Sequence, residues 1–129
     1  VVHAQNVHED LTDFVLRTRP KRWKIFQVLP VCGQNDAQFD YFRITPEQFD
    51  AYVAWVKART NGVVRVVPEN NAAMTGSYAM IDPAGRFFDN TQGCHRYSRP
   101  ILEVGIEAAF NDISFSSEKF EGRDGLYDW

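Results

Sequence analysis

Apolar and polar positions change their period several times along this chain, and each change marks an element. Leu11, Phe14 and Val15 fall on one face at helical spacing and Pro20 forces a stop, so a short helix is predicted over 10–19. The run RWKIFQVL over 22–29 is rich in β-branched and aromatic residues and reads as a strand. Residues 33–38 read as a loop and 41–44 as a short strand. Thr45-Pro46-Glu47-Gln48 is the clearest local signal: a capping Thr, Pro at the first helical position, and Gln to close the box. Phe49, Tyr52, Val53 and Val56 follow at i, i+3, i+4 and i+7 with Trp55 adjoining, which predicts an amphipathic helix ended by Asn61-Gly62.

Further on, VVRVV over 63–67 reads as a strand stopped by Pro68. Residues 77–81 and 86–88 form a predicted hairpin around Asp82-Pro83-Ala84-Gly85, in which Pro presets φ and Gly tolerates the closing geometry. Pro100 opens a predicted helix through Ile101, Leu102, Val104, Ile106 and Ala109, interrupted only by Gly105. Phe115-Ser116 ahead of Phe120 fits a hydrophobic staple around a short helix, and 122–129 has no periodicity. Strands alternate with helices early and give way to a hairpin and a tail. That is α/β or α+β, and periodicity alone does not choose.

Composition narrows the function. The 129 residues allow one domain or part of a larger one. Fourteen Lys and Arg against seventeen Asp and Glu, a net charge of −3, give no overall basic field, which disfavours a nucleic-acid partner held by bulk electrostatics. Charged or polar residues interrupt every apolar run well short of the roughly 20 residues a spanning helix needs. Two cysteines, Cys32 and Cys94, cannot build a disulfide-rich scaffold, and a reduced intracellular setting fits them better. Because Val1-Val2 stands within a strand pattern and replaces an initiator Met, the chain is expected to be cut from something longer.

No GxGxxG, P-loop, HExxH or CxxC is present, and the adjacent Cys94-His95 pair is a poor basis for a metal site, so no metal ligand is assigned in this chain. His3 and His8 lie in a polar stretch and read as surface residues. Strand alternation places Arg22 and Lys24 on one face, roughly 6.6–6.8 Å apart, with Arg17, Arg19 and Lys21 close in sequence. Charged residues opening a buried strand usually snorkel to solvent; the functional alternative is an anion clamp of a fork-shaped Arg and a flexible Lys. Pro68-Glu69-Asn70-Asn71 follows a strand end, where α/β enzymes put substrate contacts, although most such loops are plain turns. Tyr78, at the head of a predicted strand, is packing in most settings, yet a phenol facing a cavity can transfer a hydrogen. Arg123, flanked by Gly122 and Gly125 in a tail ending Tyr127-Asp128-Trp129, is either a frayed end or a segment that folds over a ligand.

Taken in order, Asn6-Val7-His8-Glu9-Asp10, Arg22-Trp23-Lys24-Ile25-Phe26-Gln27, Val67-Pro68-Glu69-Asn70-Asn71, Ser77-Tyr78 and ILEVGIEAA over 101–109 resemble the C-terminal part of viperins, the radical S-adenosylmethionine antiviral enzymes. The likeness implies an α/β fold: residues 1–110 as the C-terminal portion of a partial (βα) TIM-type barrel with the following hairpin, and 111–129 as a C-terminal extension. It also implies an S-adenosylmethionine cofactor and a 4Fe–4S cluster, both bound mainly by an N-terminal half. The implied reaction dehydrates a nucleoside triphosphate, CTP first, to its 3′-deoxy-3′,4′-didehydro form. This chain alone, without the cluster motif, is then expected to be inactive. By the same resemblance Arg22, Lys24 and Arg123 hold the triphosphate and Tyr78 supplies a hydrogen atom to the sugar. Trp129 resembles a terminal Trp that presents the protein to the cytosolic iron–sulfur assembly machinery; the expected location is intracellular and cytoplasmic, with any membrane association coming from a missing N-terminus. Asp124 stands where the family often has Gly. Barrel active sites sit at the carboxyl ends of strands, and Arg22 and Lys24 begin theirs.

Overall fold

A computed structural model describes residues 1–126, and the chain divides into two compact units. The predicted recruiting residue Trp129 lies outside the described residues.

The first unit, residues 1–29 and 37–71, is a parallel strand pair covered by a helix. Helix α1 (Thr12–Thr18) is shorter than the periodicity predicts, because the Asp10 carboxylate accepts from the Thr12 amide (2.9 Å) and delays its start. Arg19, in the left-handed region at φ 45°, ends it ahead of Pro20. The predicted apolar face is also wrong in part: Val15 is buried with Thr12, whereas Leu11 and Phe14 are exposed. Strand β1 (Arg22–Phe26) pairs in parallel with β2, and Val2 bridges Gln27 in parallel. Helix α2 (Asp36–Phe42) takes over the end of the predicted loop over 33–38 and the front of the predicted strand over 41–44, while 33–35 stay a turn. Asn35 and Asp36 accept from the Val31 and Gly33 amides (2.9 and 2.6 Å) and stabilise the turn that starts it.

Helix α3 (Pro46–Thr60) carries the predicted capping box intact: Thr45 Oγ1 accepts from the Gln48 amide (3.2 Å) and Gln48 Oε1 from the Thr45 amide (2.8 Å). Asn61, at φ 44°, provides the left-handed end. Its Phe49, Tyr52, Val53 and Val56 join Val2, Ile25 and Ile44 in one core, with Trp23 and Val66 packed against it. Strand β2 (Arg65–Glu69) runs through Pro68 and is not stopped by it. β1 and β2 form a two-stranded sheet in which Pro68 lies opposite Ile25, and a missing donor is tolerated on an edge strand.

The second unit comprises residues 30–36 and 72–129. Helix α4 (Asn71–Met74) leads through an irregular stretch to β3 (Met80–Ile81), so Tyr78 precedes this strand and does not head it. β3 pairs antiparallel with β4 (Arg86–Asp89). In the hairpin turn Asp82 accepts from the Ala84 and Arg86 amides (both 2.9 Å), while the Gly85 amide reaches the Asp82 carbonyl at φ 69°. The sequence pattern gives no sign of β5 (Arg96–Pro100), which pairs with β4. The predicted long helix breaks at Gly105 into α5 (Ile101–Val104) and α6 (Ile106–Phe110), because φ 84° with ψ 162° suits glycine alone. Phe110 stacks edge-on against Phe87 of β4 (5.4 Å between ring centres). Buried Asp89 accepts from the Thr91 and Ser114 amides; burial pushes its carboxyl up, and these hydrogen bonds outweigh that and hold it below the usual range. Helix α7 (Ser117–Gly122) has the predicted staple, with Phe115 against Phe120 (5.8 Å) around the Ser116 cap.

Cys32 and Cys94, 62 residues apart, form a disulfide in this unit, supported by the Cys32 amide donating to the Gly93 carbonyl (2.9 Å). The expectation that both cysteines are reduced is corrected on this point. Among the described residues no helix is long and apolar enough to cross a membrane.

Candidate functional site

In the first unit, pairing and pleat settle the orientation of the basic strand. Trp23 and Ile25 face the α3 core, so Arg22, Lys24 and Phe26 share the opposite face of β1. Their register partners there are Arg65, Val67 and Glu69. Arg65, directly across from Arg22, adds a cation that the sequence reading did not single out, although the alternation of VVRVVPE places it with Val67 and Glu69. The Lys24 ammonium donates to Glu69 Oε1 at 2.7 Å. Glu69 is level with Phe26, two residues beyond Lys24. The lysine therefore leans toward the carboxyl ends of the strands even though its backbone sits mid-strand. Its head thus points toward the edge at which barrel active sites lie.

A hollow of about 440 Å³ in the same unit, lined by Val7, His8, Gln48, Ala51, Tyr52 and Trp55, includes none of the predicted site residues. It is an apolar recess at the surface of α3 and lacks the cations an anion would need.

In the second unit, α7 is anchored to the segment that carries Tyr78. The Ser116 amide donates to the Gly76 carbonyl (2.8 Å), and the Lys119 ammonium caps the end of α4 through the Ala72 and Thr75 carbonyls (3.2 and 3.0 Å). Gly76 is itself held by Asn90, whose Oδ1 accepts from its amide (3.1 Å). This anchoring brings two predicted residues together: the Arg123 guanidinium lies over the Tyr78 ring, 3.7 Å from its centre, and donates to the Ser77 carbonyl (3.0 Å). Arg123 is only 7% exposed, and Phe120 flanks it at 5.1 Å. The tail arginine is thus a buried cation on an aromatic face. Asp124 takes φ 62°, a conformation easiest for glycine.

The described residues do not fit an iron–sulfur cluster. Among the described residues no three His, Cys, Asp or Glu converge on a metal position, and both cysteines are in the disulfide.

No family model matches the chain. Individual proteins do: it is 46% identical over all 129 residues to the S-adenosylmethionine-dependent nucleotide dehydratase of Lacinutrix mariniflava, and 46% identical to the protein of that name from Flammeovirga pacifica. Likeness to S-adenosylmethionine-dependent nucleotide dehydratase RSAD2 of Danio rerio is 34% over 134 residues, again across the whole chain. By sequence the chain belongs to this viperin family of nucleotide dehydratases. It spans 26%, 43% and 36% of those three relatives, so it corresponds to a part of such a protein.

Proposed function

We propose that this chain is the nucleotide-facing part of a viperin-like radical S-adenosylmethionine enzyme that dehydrates a nucleoside triphosphate, CTP first, in antiviral defence. In this reading 1–110 complete the C-terminal portion of a partial (βα) barrel and 111–129 form its lid. Arg22, Lys24 and Arg123 bind the triphosphate, Tyr78 serves the sugar, and Trp129 addresses the cytosolic iron–sulfur assembly machinery. S-adenosylmethionine and the 4Fe–4S cluster are held mainly by residues outside this chain, which alone is inactive.

Likeness at 46% identity along the whole of this chain to proteins named nucleotide dehydratases carries the reading. The leaning Lys24 ammonium and the Arg123–Tyr78 stack lend it support. The test is anaerobic turnover by the full-length protein with S-adenosylmethionine and CTP. Formation of 5′-deoxyadenosine together with a dehydrated nucleotide is expected; its absence with every common nucleoside triphosphate sinks the proposal.

A non-catalytic binding module is the second reading. Its support is that Lys24 and Arg123 are both engaged inside the protein, by Glu69 and by Ser77 and Tyr78. The double variant Arg22→Ala, Lys24→Ala separates the two. The enzyme reading expects weaker triphosphate binding, each charge-assisted contact contributing about 1.5–3 kcal/mol, whereas unchanged affinity in calorimetry favours the structural role.

A further inference from the structure

We infer that Glu69 is a positioning residue for Lys24: its carboxylate fixes the ammonium at the carboxyl edge of the β1–β2 pair, ready for a phosphate oxygen. The inference rests on the reading of Lys24 as a triphosphate ligand and extends it to a residue that has no assigned role.

Burial differs between the two members of the pair. Glu69 is 0% exposed and the Lys24 side chain 17%, at 2.7 Å. The carboxylate is inaccessible to a ligand, while the Lys24 side chain keeps some exposure to solvent. An ammonium carries several donors, so contact with Glu69 and contact with an incoming anion are compatible. A lysine on its flexible stem ordinarily loses much rotamer freedom when it is ordered on a ligand. Ordering it beforehand removes that cost from the binding step.

Glu69 is also well placed to act as a fixed anchor. Its carbonyl accepts from the Gln27 amide (3.0 Å). The buried Gln27 side chain accepts from the Asn71 amide (3.1 Å) and donates to the Ile44 carbonyl (3.4 Å). The chain is therefore held at Glu69 itself and again two residues later, and the carboxylate projects from a clamped strand end. Its register, level with Phe26, draws the Lys24 head forward along the strand.

The test is a double-mutant cycle in the full-length protein, with CTP as the titrant in calorimetry and a thermal melt of every variant. Lys24→Ala is expected to weaken CTP binding, and Glu69→Gln to weaken it about three- to tenfold. In the Lys24→Ala background Glu69→Gln should add nothing, because the group it positions is gone. If Lys24→Ala leaves CTP affinity unchanged, the triphosphate reading of Lys24 itself fails. If Lys24→Ala weakens binding while Glu69→Gln leaves it unchanged or tightens it, the positioning role fails and the Lys24 reading stands. An equal loss from Glu69→Gln in both backgrounds assigns Glu69 to the fold alone and overturns the inference. Should Glu69→Gln not fold, Glu69→Asp keeps the charge and shortens the arm. That variant must then weaken CTP binding while Lys24 is present and change nothing further once Lys24→Ala has been made; failure of either half overturns the inference.

Discussion

At Gly125 an added Cβ would stand 2.4 Å from the Phe120 carbonyl oxygen and 2.6 Å from two carbons of the Phe120 ring, whereas at Gly122 nothing lies within 4 Å. The Gly125 amide already donates to that carbonyl (2.9 Å), so the backbone at Gly125 lies against the end of α7 with no room for a side chain. Arg123 lies between these two glycines and stacks on Tyr78. Gly125→Ala is expected to destabilise the protein by about 1–3 kcal/mol through a clash that only backbone movement relieves. Gly122→Ala, in a helical turn, should be neutral or stabilise by up to about 1 kcal/mol. Denaturant unfolding of the two variants checks the contrast; equal midpoints would remove the basis for calling position 125 a forced glycine.

At the scale of elements, features written in a few adjacent residues were legible and features made by distant pairing were not. The capping box at Thr45–Gln48, the staple from Phe115 to Phe120 and the Asp82–Gly85 turn are local, and each formed as its residues imply. Strand β5 exists because β4 offers it a partner, and nothing in Arg96–Pro100 announces that pairing. Pro68 reads as a stop only if both edges of its strand are assumed to be paired. The site divides in the same way. Alternation placed Arg22 and Lys24 on one face, but the Lys24–Glu69 contact spans 45 residues and follows from parallel register, which no local pattern encodes. The stack of Arg123 on Tyr78 likewise follows from how α7 is anchored. The legible cap gives a direct prediction: Thr45→Ala should cost about 1 kcal/mol of stability. The same change combined with Gln48→Ala should be less than additive, since the two side chains close one box. A cycle in urea measures this, and full additivity would show that the two ends act independently.

For the molecule as a whole, the Cys32–Cys94 bond is the constraint with the longest reach. It brings 30–36 into the second unit while the chain on either side of that segment belongs to the first. The enclosed stretch includes α3 and β2, so the bond removes from the unfolded state the many conformations in which this long loop is open. Chain-entropy arguments put such a closure at about 4 kcal/mol for a loop of this length, less any strain in the folded state. Cys32 is exposed and Cys94 partly so, which leaves the bond accessible to a small thiol reductant. Two measurements test it together. Thiol titration of this chain, denatured and unreduced, should find no free cysteine, and reduction should lower the unfolding midpoint, as should Cys32→Ser with Cys94→Ser. The reductant should then have no effect on that double variant, because the crosslink it would break is gone. Two titratable thiols before reduction, or a midpoint indifferent to reductant, would mean that the loops are held together by the Cys32–Gly93 hydrogen bond and its neighbours without the covalent tie.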